Sequence, residues 1–269
     1  MNTPSREVLN IKNLTVDFGG VRAVNNVSLG LNEGEMVALI GPNGAGKTTI
    51  FNLITNAVKP TSGEILFNGQ SILGKMPDQI CRLGISRTFQ NIRLFPQMTA
   101  YENVELGLHS TPLYSLAEAF IRTPRARKAE INARKRALEL LEMVNLKEHA
   151  NARASSLPYG LQRRLEIARA MATSPQLLLL DEPAAGMNED ECNDLIELIR
   201  QIHIAMKYTI IIIEHHMAVV MELCRDSRIY VLSLGSLLTT GTPTEIQNNP
   251  QVIKAYLGER KNARENAPA

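Results

Sequence analysis

The stretch Gly41-Pro42-Asn43-Gly44-Ala45-Gly46-Lys47-Thr48, continued by Thr49, has the spacing G-x-x-x-x-G-K-[ST]. Its glycines let main-chain N–H groups turn toward one point without Cβ interference, and such a ring of donors suits phosphate oxygens. Lys47 adds a point charge for β- and γ-phosphates, and the Thr48 hydroxyl is a ligand type for Mg²⁺. Far downstream, Leu177-Leu178-Leu179-Leu180 runs into Asp181-Glu182. A buried strand that ends in two acids supplies Asp181 to hold Mg²⁺, directly or through water. Glu182, pointing differently, is placed to orient and deprotonate an attacking water. The implied chemistry is hydrolysis of a nucleoside triphosphate.

These residues need elements to position them. Met36 to Ile40 is a short apolar run that precedes the glycine loop, and Lys47 to Val58 follows it at helical spacing. Strand, loop and helix in that order make a phosphate site. Leu177 to Leu180 and Thr209 to Ile213 read as further buried strands, each after a helical pattern, so a parallel sheet with crossover helices is expected. The alternation Leu9, Ile11, Leu14, Val16, Phe18 reads as edge strands ending in a Gly19-Gly20 turn. Between Tyr101 and Ser156 strand signals vanish. There Ile131, Leu138 and Leu141 mark the expected apolar stripe of a helix. Gly241-Thr242-Pro243 closes the sheet region ahead of a short helix, and the polar tail Lys261 to Ala269 is expected to be disordered. No internal repeats are visible.

Composition narrows the class. The chain has 269 residues, 44% of them hydrophobic, which is enough for a folded core. With 29 basic and 27 acidic residues it lacks the basic excess of a dedicated nucleic-acid binder. Cys81, Cys192 and Cys224 are widely spaced, so neither a disulfide framework nor a zinc knuckle is indicated. No signal-peptide core is expected at the N-terminus, and no apolar run is long enough to cross a bilayer, so a membrane role would be peripheral.

Between the two phosphate-site elements lies Leu157-Pro158-Tyr159-Gly160-Leu161-Gln162-Arg163-Arg164, followed by Leu165-Glu166-Ile167-Ala168-Arg169-Ala170. This resembles the signature and helix of ATP-binding cassette (ABC) ATPases, placed just before Asp181 as in that family. Gln90 resembles the Q-loop, Ala185-Gly186-Met187-Asn188 the D-loop, and His215 the switch histidine. Phe18 stands where the family stacks an aromatic ring on adenine. The resemblance covers about residues 6 to 260. It implies an α/β P-loop NTPase core over 6–100 and 157–258, RecA-like with an N-terminal antiparallel β subdomain, and an inserted helical subdomain over 101–156. It also implies ATP and Mg²⁺ as ligands, with Thr48, Gln90 and Asp181 on the metal. Two cassettes would close head to tail, so that Leu157 to Gln162 serve the partner's ATP. His215 would donate to the γ-phosphate, and the helical insertion would dock on a membrane subunit.

The family's commonest signature is Leu-Ser-Gly-Gly-Gln, and Pro158, Tyr159 and Leu161 depart from it. Pro158 removes a hydroxyl, and losing one preorganised donor costs about 2.7–4 kcal/mol in rate. The two composite sites of a heterodimer would then fire unequally. Asn188 replaces the D-loop aspartate. The basic cluster Arg122, Arg125, Arg127, Lys128, Arg134, Lys135 and Arg136 reads as a solvated helix face or a contact for lipid headgroups or a permease. In the signature, in Glu182-Pro183-Ala184-Ala185-Gly186-Met187-Asn188 and in the long insertion, the chain resembles the LivG type, the ATPases of branched-chain amino acid importers. The implied partners are a second, LivF-like ATPase or another copy, two transmembrane permeases and, indirectly, a substrate-binding protein, at the cytoplasmic face of the inner membrane. Lipopolysaccharide-export ATPases share Gly241 to Ile246 but have a shorter insertion and a more standard signature. DNA-repair members need long heptad arms, and ribosome-acting members usually join two cassettes in one chain. A GTPase would need Asn-Lys-x-Asp, which is absent, and a small kinase leaves the signature unexplained.

Overall fold

The computed structural model describes residues 6–109, 121 and 123–256. The expected disordered tail 261–269, Arg122 and the last residues of the expected core unit lie outside them.

Two sheets organise the chain. The first is antiparallel, in the order β2-β1-β4-β5, from β1 (Glu7–Phe18), β2 (Val21–Asn32), β4 (Ser62–Phe67) and β5 (Gln70–Ser71). The second contains β3 (Met36–Ile40), β6 (Ile85–Arg87), β7 (Leu177–Asp181), β8 (Thr209–Ile213), β9 (Ile229–Ser233) and β10 (Ser236–Gly241), ordered β10-β9-β3-β8-β7-β6. From β9 to β6 its neighbours run parallel, and β10 closes the edge antiparallel to β9.

Strands β3, β7 and β8 are buried at every residue, as expected of a parallel sheet covered on both faces. Their side chains divide by alternation. Met36, Ala38, Ile40, Leu178, Leu180, Ile210 and Ile212 enter one core. Val37, Leu39, Leu177, Leu179, Ile211 and Ile213 enter the other. The first core is roofed by α3 (Ala100–Leu108), α4 (Pro124–Met143), α5 (Tyr159–Ala172) and α6 (Glu189–Met206). The second holds α1 (Lys47–Ile54) and the antiparallel sheet. Short helices α2 (Pro77–Arg82), α7 (Met217–Leu223) and α8 (Pro243–Gln247) complete the described elements used below.

Three sequence expectations are corrected. Strand β1 is interior and not an edge, because it pairs with both β2 and β4. Helix α1 stops at Ile54 and not Val58, since Asn56 turns left-handed at φ 51°. On α4, Ile131 is 68% exposed. Leu141 is buried and Leu138 packs on the core, as expected, but the rest of the buried stripe is Ala126, Ala133, Ala137 and Leu140, where small alanines let α4 approach its neighbours closely.

Cys224 is fully buried against the sheet, and that burial pushes its thiol pKa up to about 12. Cys81 and Cys192 are partly exposed, and burial also raises the Cys192 pKa. Because the thiolate is the reactive form, a maleimide at pH 8 should label Cys81 first, Cys192 more slowly and Cys224 only on unfolding. Peptide mass mapping over time checks that order.

Candidate active site

Four neighbouring strands point their carboxyl ends the same way, and each delivers part of one site. Strand β3 leads into the glycine loop and β8 into Glu214 and His215. Strand β7 ends at Asp181 and Glu182, and β6 at Arg87, followed by Gln90.

The glycine loop is held by close backbone approach. Gly46 stands at φ 100°, and a Cβ there would lie 2.6 Å from the Ala23 carbonyl oxygen; one on Gly41 would lie 2.2 Å from that of Leu232. No side chain caps α1 at Gly46, so its first N–H groups and positive dipole end are left for an anion. Lys47 is buried, and its ammonium donates to the carbonyls of Gly41 (2.7 Å) and Pro42 (2.9 Å). Asn43, Gly44 and Thr48 are exposed, Ala45 is buried, and Pro42, Gly46 and Thr49 are intermediate. Phe18 is 46% exposed at the end of β1. The turn after it leads into β2, whose Ala23 packs on Gly46.

Asp181 has only 1% of its side chain exposed, and its Oδ2 accepts from Arg87 Nη2 at 2.5 Å. Arg87 Nη1 also donates to Asn52 Oδ1 at 2.6 Å. The Asp181 Oδ1 atom is buried without a hydrogen-bond partner. Burial raises the Asp181 pKa against the opposing pull of Arg87. Thr48, Gln90 and Asp181 line one cavity of about 480 Å³. A hydroxyl and an orphaned carboxylate oxygen on a shared cavity fit a hard divalent cation. Among the described residues no group of three or more His, Cys, Asp or Glu could cage it. Substrate phosphates and water would therefore supply the other ligands, as Mg²⁺ commonly requires.

Glu182 turns left-handed at φ 48°, which costs an L-residue about 1–2 kcal/mol. Its N–H stays on β8 through the Ile213 carbonyl at 2.8 Å. Its Oε1 lies 2.5 Å from His215 Nε2, and its Oε2 accepts from Gln90 Nε2 at 2.8 Å. Gln90 is expected on the metal and His215 at the γ-phosphate, roles these contacts leave open. In the structure both hold Glu182, because a carboxylate this buried needs donors. Glu214, also buried, accepts from the N–H groups of Ala184 (2.8 Å) and His215 (2.9 Å), which ties the residue just before Ala185 to His215.

The signature divides. Leu157 is buried, Leu161 packs on the core, and Gln162 donates to the Leu157 carbonyl at 2.8 Å. Pro158 and Tyr159 are exposed at the start of α5, and Pro158 offers it no side-chain cap. Met187 packs against the core, and a Cβ on Gly186 would sit 3.6 Å from the Tyr159 ring, so D-loop and signature adjoin. Ala185 donates its N–H to the Glu182 carbonyl at 3.2 Å. Asn188 caps α6 in a reciprocal box with Glu191, a role its N-x-x-E spacing announces.

Sequence reasoning missed a buried clamp behind the signature. Arg163 donates to the Phe89 carbonyl (2.6 Å), to the Gln90 carbonyl and to Glu166 (3.2 Å). Glu166 accepts from the N–H groups of Phe89 (3.4 Å) and Arg93 (3.2 Å). Burial raises the Glu166 pKa, and these partners offset part of that rise. The i,i+3 spacing on a helix was the available signal. Replacing Arg163 by Met strands a charge in a pair only 2% exposed, so about 3–5 kcal/mol of stability should be lost. Adding Glu166→Gln should restore more than half of it. Urea titration of the single and double variants reads both.

Against known proteins, residues 24–185 match the family model described as ABC transporter. Residues 236–262 match the one described as branched-chain amino acid ATP-binding cassette transporter. The high-affinity branched-chain amino acid transport ATP-binding protein LivG of Salmonella typhimurium is 50% identical over 95% of this chain and 99% of its own. BraF of Pseudomonas aeruginosa, of the same description, is 47% identical over 95% and 99%. An ATP-binding cassette of an ABC transporter, solved in its ADP conformation, superposes with TM-score 0.80 at 30% identity, covering 94% of this chain and 99% of that one. A glycine loop and two buried acids on one sheet edge, joined through the Gln90 loop to the start of α5, with that degree of likeness, make this chain a member of the ABC transporter family, an ATP-binding and ATP-hydrolysing subunit of the LivG type.

Proposed function

We propose that this chain, as one cassette of a pair, hydrolyses Mg-ATP to drive import of branched-chain amino acids through two permease subunits. The pair would form with a LivF-like companion or a second copy, peripheral at the cytoplasmic face of the membrane. The observation that carries the catalytic part is a contrast among the described helices of eight residues or more. Helices α3, α4 and α6 begin on a capping Thr99, Thr123 or Asn188, whereas α1 and α5 begin with no side-chain cap. Uncapped starts at the phosphate loop and at the signature are two anion sites, one for each face of a nucleotide. Support for the solute comes from the LivG and BraF relatives. None of the described helices is long and apolar enough to cross a membrane, which fits a subunit that relies on separate permeases.

In this reading the loop N–H groups and Lys47 bind the β- and γ-phosphates, and Phe18 stacks on the base. Thr48, Asp181 and Gln90 would hold Mg²⁺, which when bound neutralises phosphate charge. Glu182 orients and deprotonates the water, with its carboxylate aimed by His215 and Gln90. Proton transfer to a positioned base contributes about 10²–10⁴ in rate. Pro158 to Gly160 present the α5 N-terminus to the partner's ATP, and Ala185 to Asn188 line the same junction. The unit 101–156 is the segment assigned to the permease.

Glu182→Gln should spare ATP binding while lowering turnover by about 10²–10⁴, and Lys47→Ala should weaken binding itself. Equilibrium nucleotide titration beside steady-state hydrolysis separates the two. Normal turnover by the Gln variant would remove Glu182 as the base. For the transport reading, tagged chain pulled from detergent-solubilised membranes should bring permease subunits with it. In liposomes, leucine-loaded binding protein should raise ATP turnover. Recovery of DNA or ribosomes in place of permeases would overturn it.

A further inference from the structure

Neither the phosphate chemistry nor the signature explains Arg87. It ends β6, in register with Leu179 on β7, and it lies on the strand face that carries Ile85 into the second core. Its side chain is 6% exposed, yet it carries a full positive charge into the carboxyl edge of the sheet. The guanidinium is gripped from several sides. Asp181 Oδ2 lies at 2.5 Å and Asn52 Oδ1 at 2.6 Å, with the Phe51 and Phe89 rings 5.3 and 5.2 Å from its centre. Asn52 and Phe51 belong to α1, so the same cation bridges the phosphate-loop helix to the acidic strand. It also lines the cavity that holds Thr48, Gln90 and Asp181.

We propose that Arg87 is a resident counter-cation that competes with the divalent metal for Asp181, so that metal enters only together with the phosphates of the nucleotide. The inference rests on the reading of Asp181 as a metal ligand. The carboxylate has two oxygens, one taken by the guanidinium and one buried without a partner. A divalent ion on the second oxygen would stand within a few ångströms of the guanidinium, where like charges repel strongly in a buried site. Entry of metal therefore displaces Arg87 from Asp181, and the negative charge of the triphosphate oxygens offsets the cost of breaking that ion pair. Asn52 and the two aromatic faces give the guanidinium a place to remain once it leaves Asp181, since cation–π contact and a neutral acceptor need no carboxylate. Arg87 is thus a positioning residue: it touches Asp181 and not the reacting atoms.

The test measures Mn²⁺ binding to the purified full-length chain by electron paramagnetic resonance, without nucleotide. Wild type should bind Mn²⁺ poorly. Arg87→Gln should bind it at least about ten-fold more tightly, the direction expected when a neighbouring unit charge is removed. Arg87→Lys, which keeps the charge, should stay near wild type. Equal Mn²⁺ affinities in wild type and Arg87→Gln would overturn the proposal and leave Arg87 a structural partner only. If Arg87→Gln does not fold, a crystal structure of wild type with Mg²⁺ and a non-hydrolysable ATP analogue decides: Arg87 should lie beyond salt-bridge distance of Asp181, and an intact bridge beside bound Mg²⁺ overturns the idea. Asp181→Asn isolates the underlying reading. Added to Arg87→Gln it should abolish the gained site, whereas Mn²⁺ binding that survives it would show that Asp181 is not the ligand, whatever Arg87 does.

Discussion

The structure turns on the cost of placing two carboxylates, Asp181 and Glu182, at the buried end of an all-apolar strand. A charge there is tolerated only if every lone pair is answered or the group is neutralised. Each neighbouring strand end supplies part of the answer. Strand β6 brings the guanidinium of Arg87 and, beyond it, the amide of Gln90; β8 brings His215; α1 contributes Asn52, which steadies Arg87. A parallel sheet is the economical way to do this, because its carboxyl ends converge while its body stays apolar on both faces. The left-handed turn at Glu182 follows from the same demand. An extended backbone would send successive side chains to opposite faces, whereas the turn swings Glu182 toward His215 and Gln90.

The loop that carries Gln90 is not independent of the signature. Arg163 and Glu166, on the first turns of α5, hold both carbonyl and N–H groups of the segment from Phe89 to Arg93. Tyr159 adds its hydroxyl, which accepts from Arg163 at 3.0 Å. A buried ion pair is weak evidence for stability but can fix one arrangement over others. Here it fixes the start of α5 relative to the loop that reaches Glu182. The chain's own acids and the start of α5 therefore share one rigid connection.

What the sequence made legible were features whose meaning is local. The glycine loop, the acidic strand end and the helix start at Thr242 are short strings whose geometry follows from backbone rules. The resemblance then placed Gln90, His215 and the signature by order along the chain. What stayed hidden depended on neighbours distant in sequence. Arg87 looks like any strand-end arginine until β7 and α1 close around it. Arg163 and Glu166 look like a solvated pair on a charged helix until the loop from Phe89 covers them. The N-terminal half of the stripe on α4 was hidden because hydrophobicity is weighed by size. Ile131 is large and exposed, whereas Ala133 and Ala137 are small and buried, since the helix packs too closely there for anything larger.

The departure at Pro158 has a physical reading that the missing hydroxyl alone does not convey. A serine or threonine at a helix N-cap accepts from its own N2 or N3 N–H and so consumes donors that an incoming anion would use. Proline can do neither that nor donate from its backbone. Its carbonyl accepts from Gln162 at 3.0 Å and starts the helix, leaving the first N–H groups of α5 without a side-chain competitor. One directed hydroxyl is exchanged for a cleaner helix end. Tyr159 beside it is 44% exposed, but its hydroxyl is tied back to Arg163, so its ring is held against its own chain. In the proposed function, affinity for a phosphate at this end would then come from main-chain donors and the helix dipole, which act on any tetrahedral anion alike. In the proposed function, selectivity for the γ-phosphate would then fall to the wall that carries Lys47 and the glycine loop.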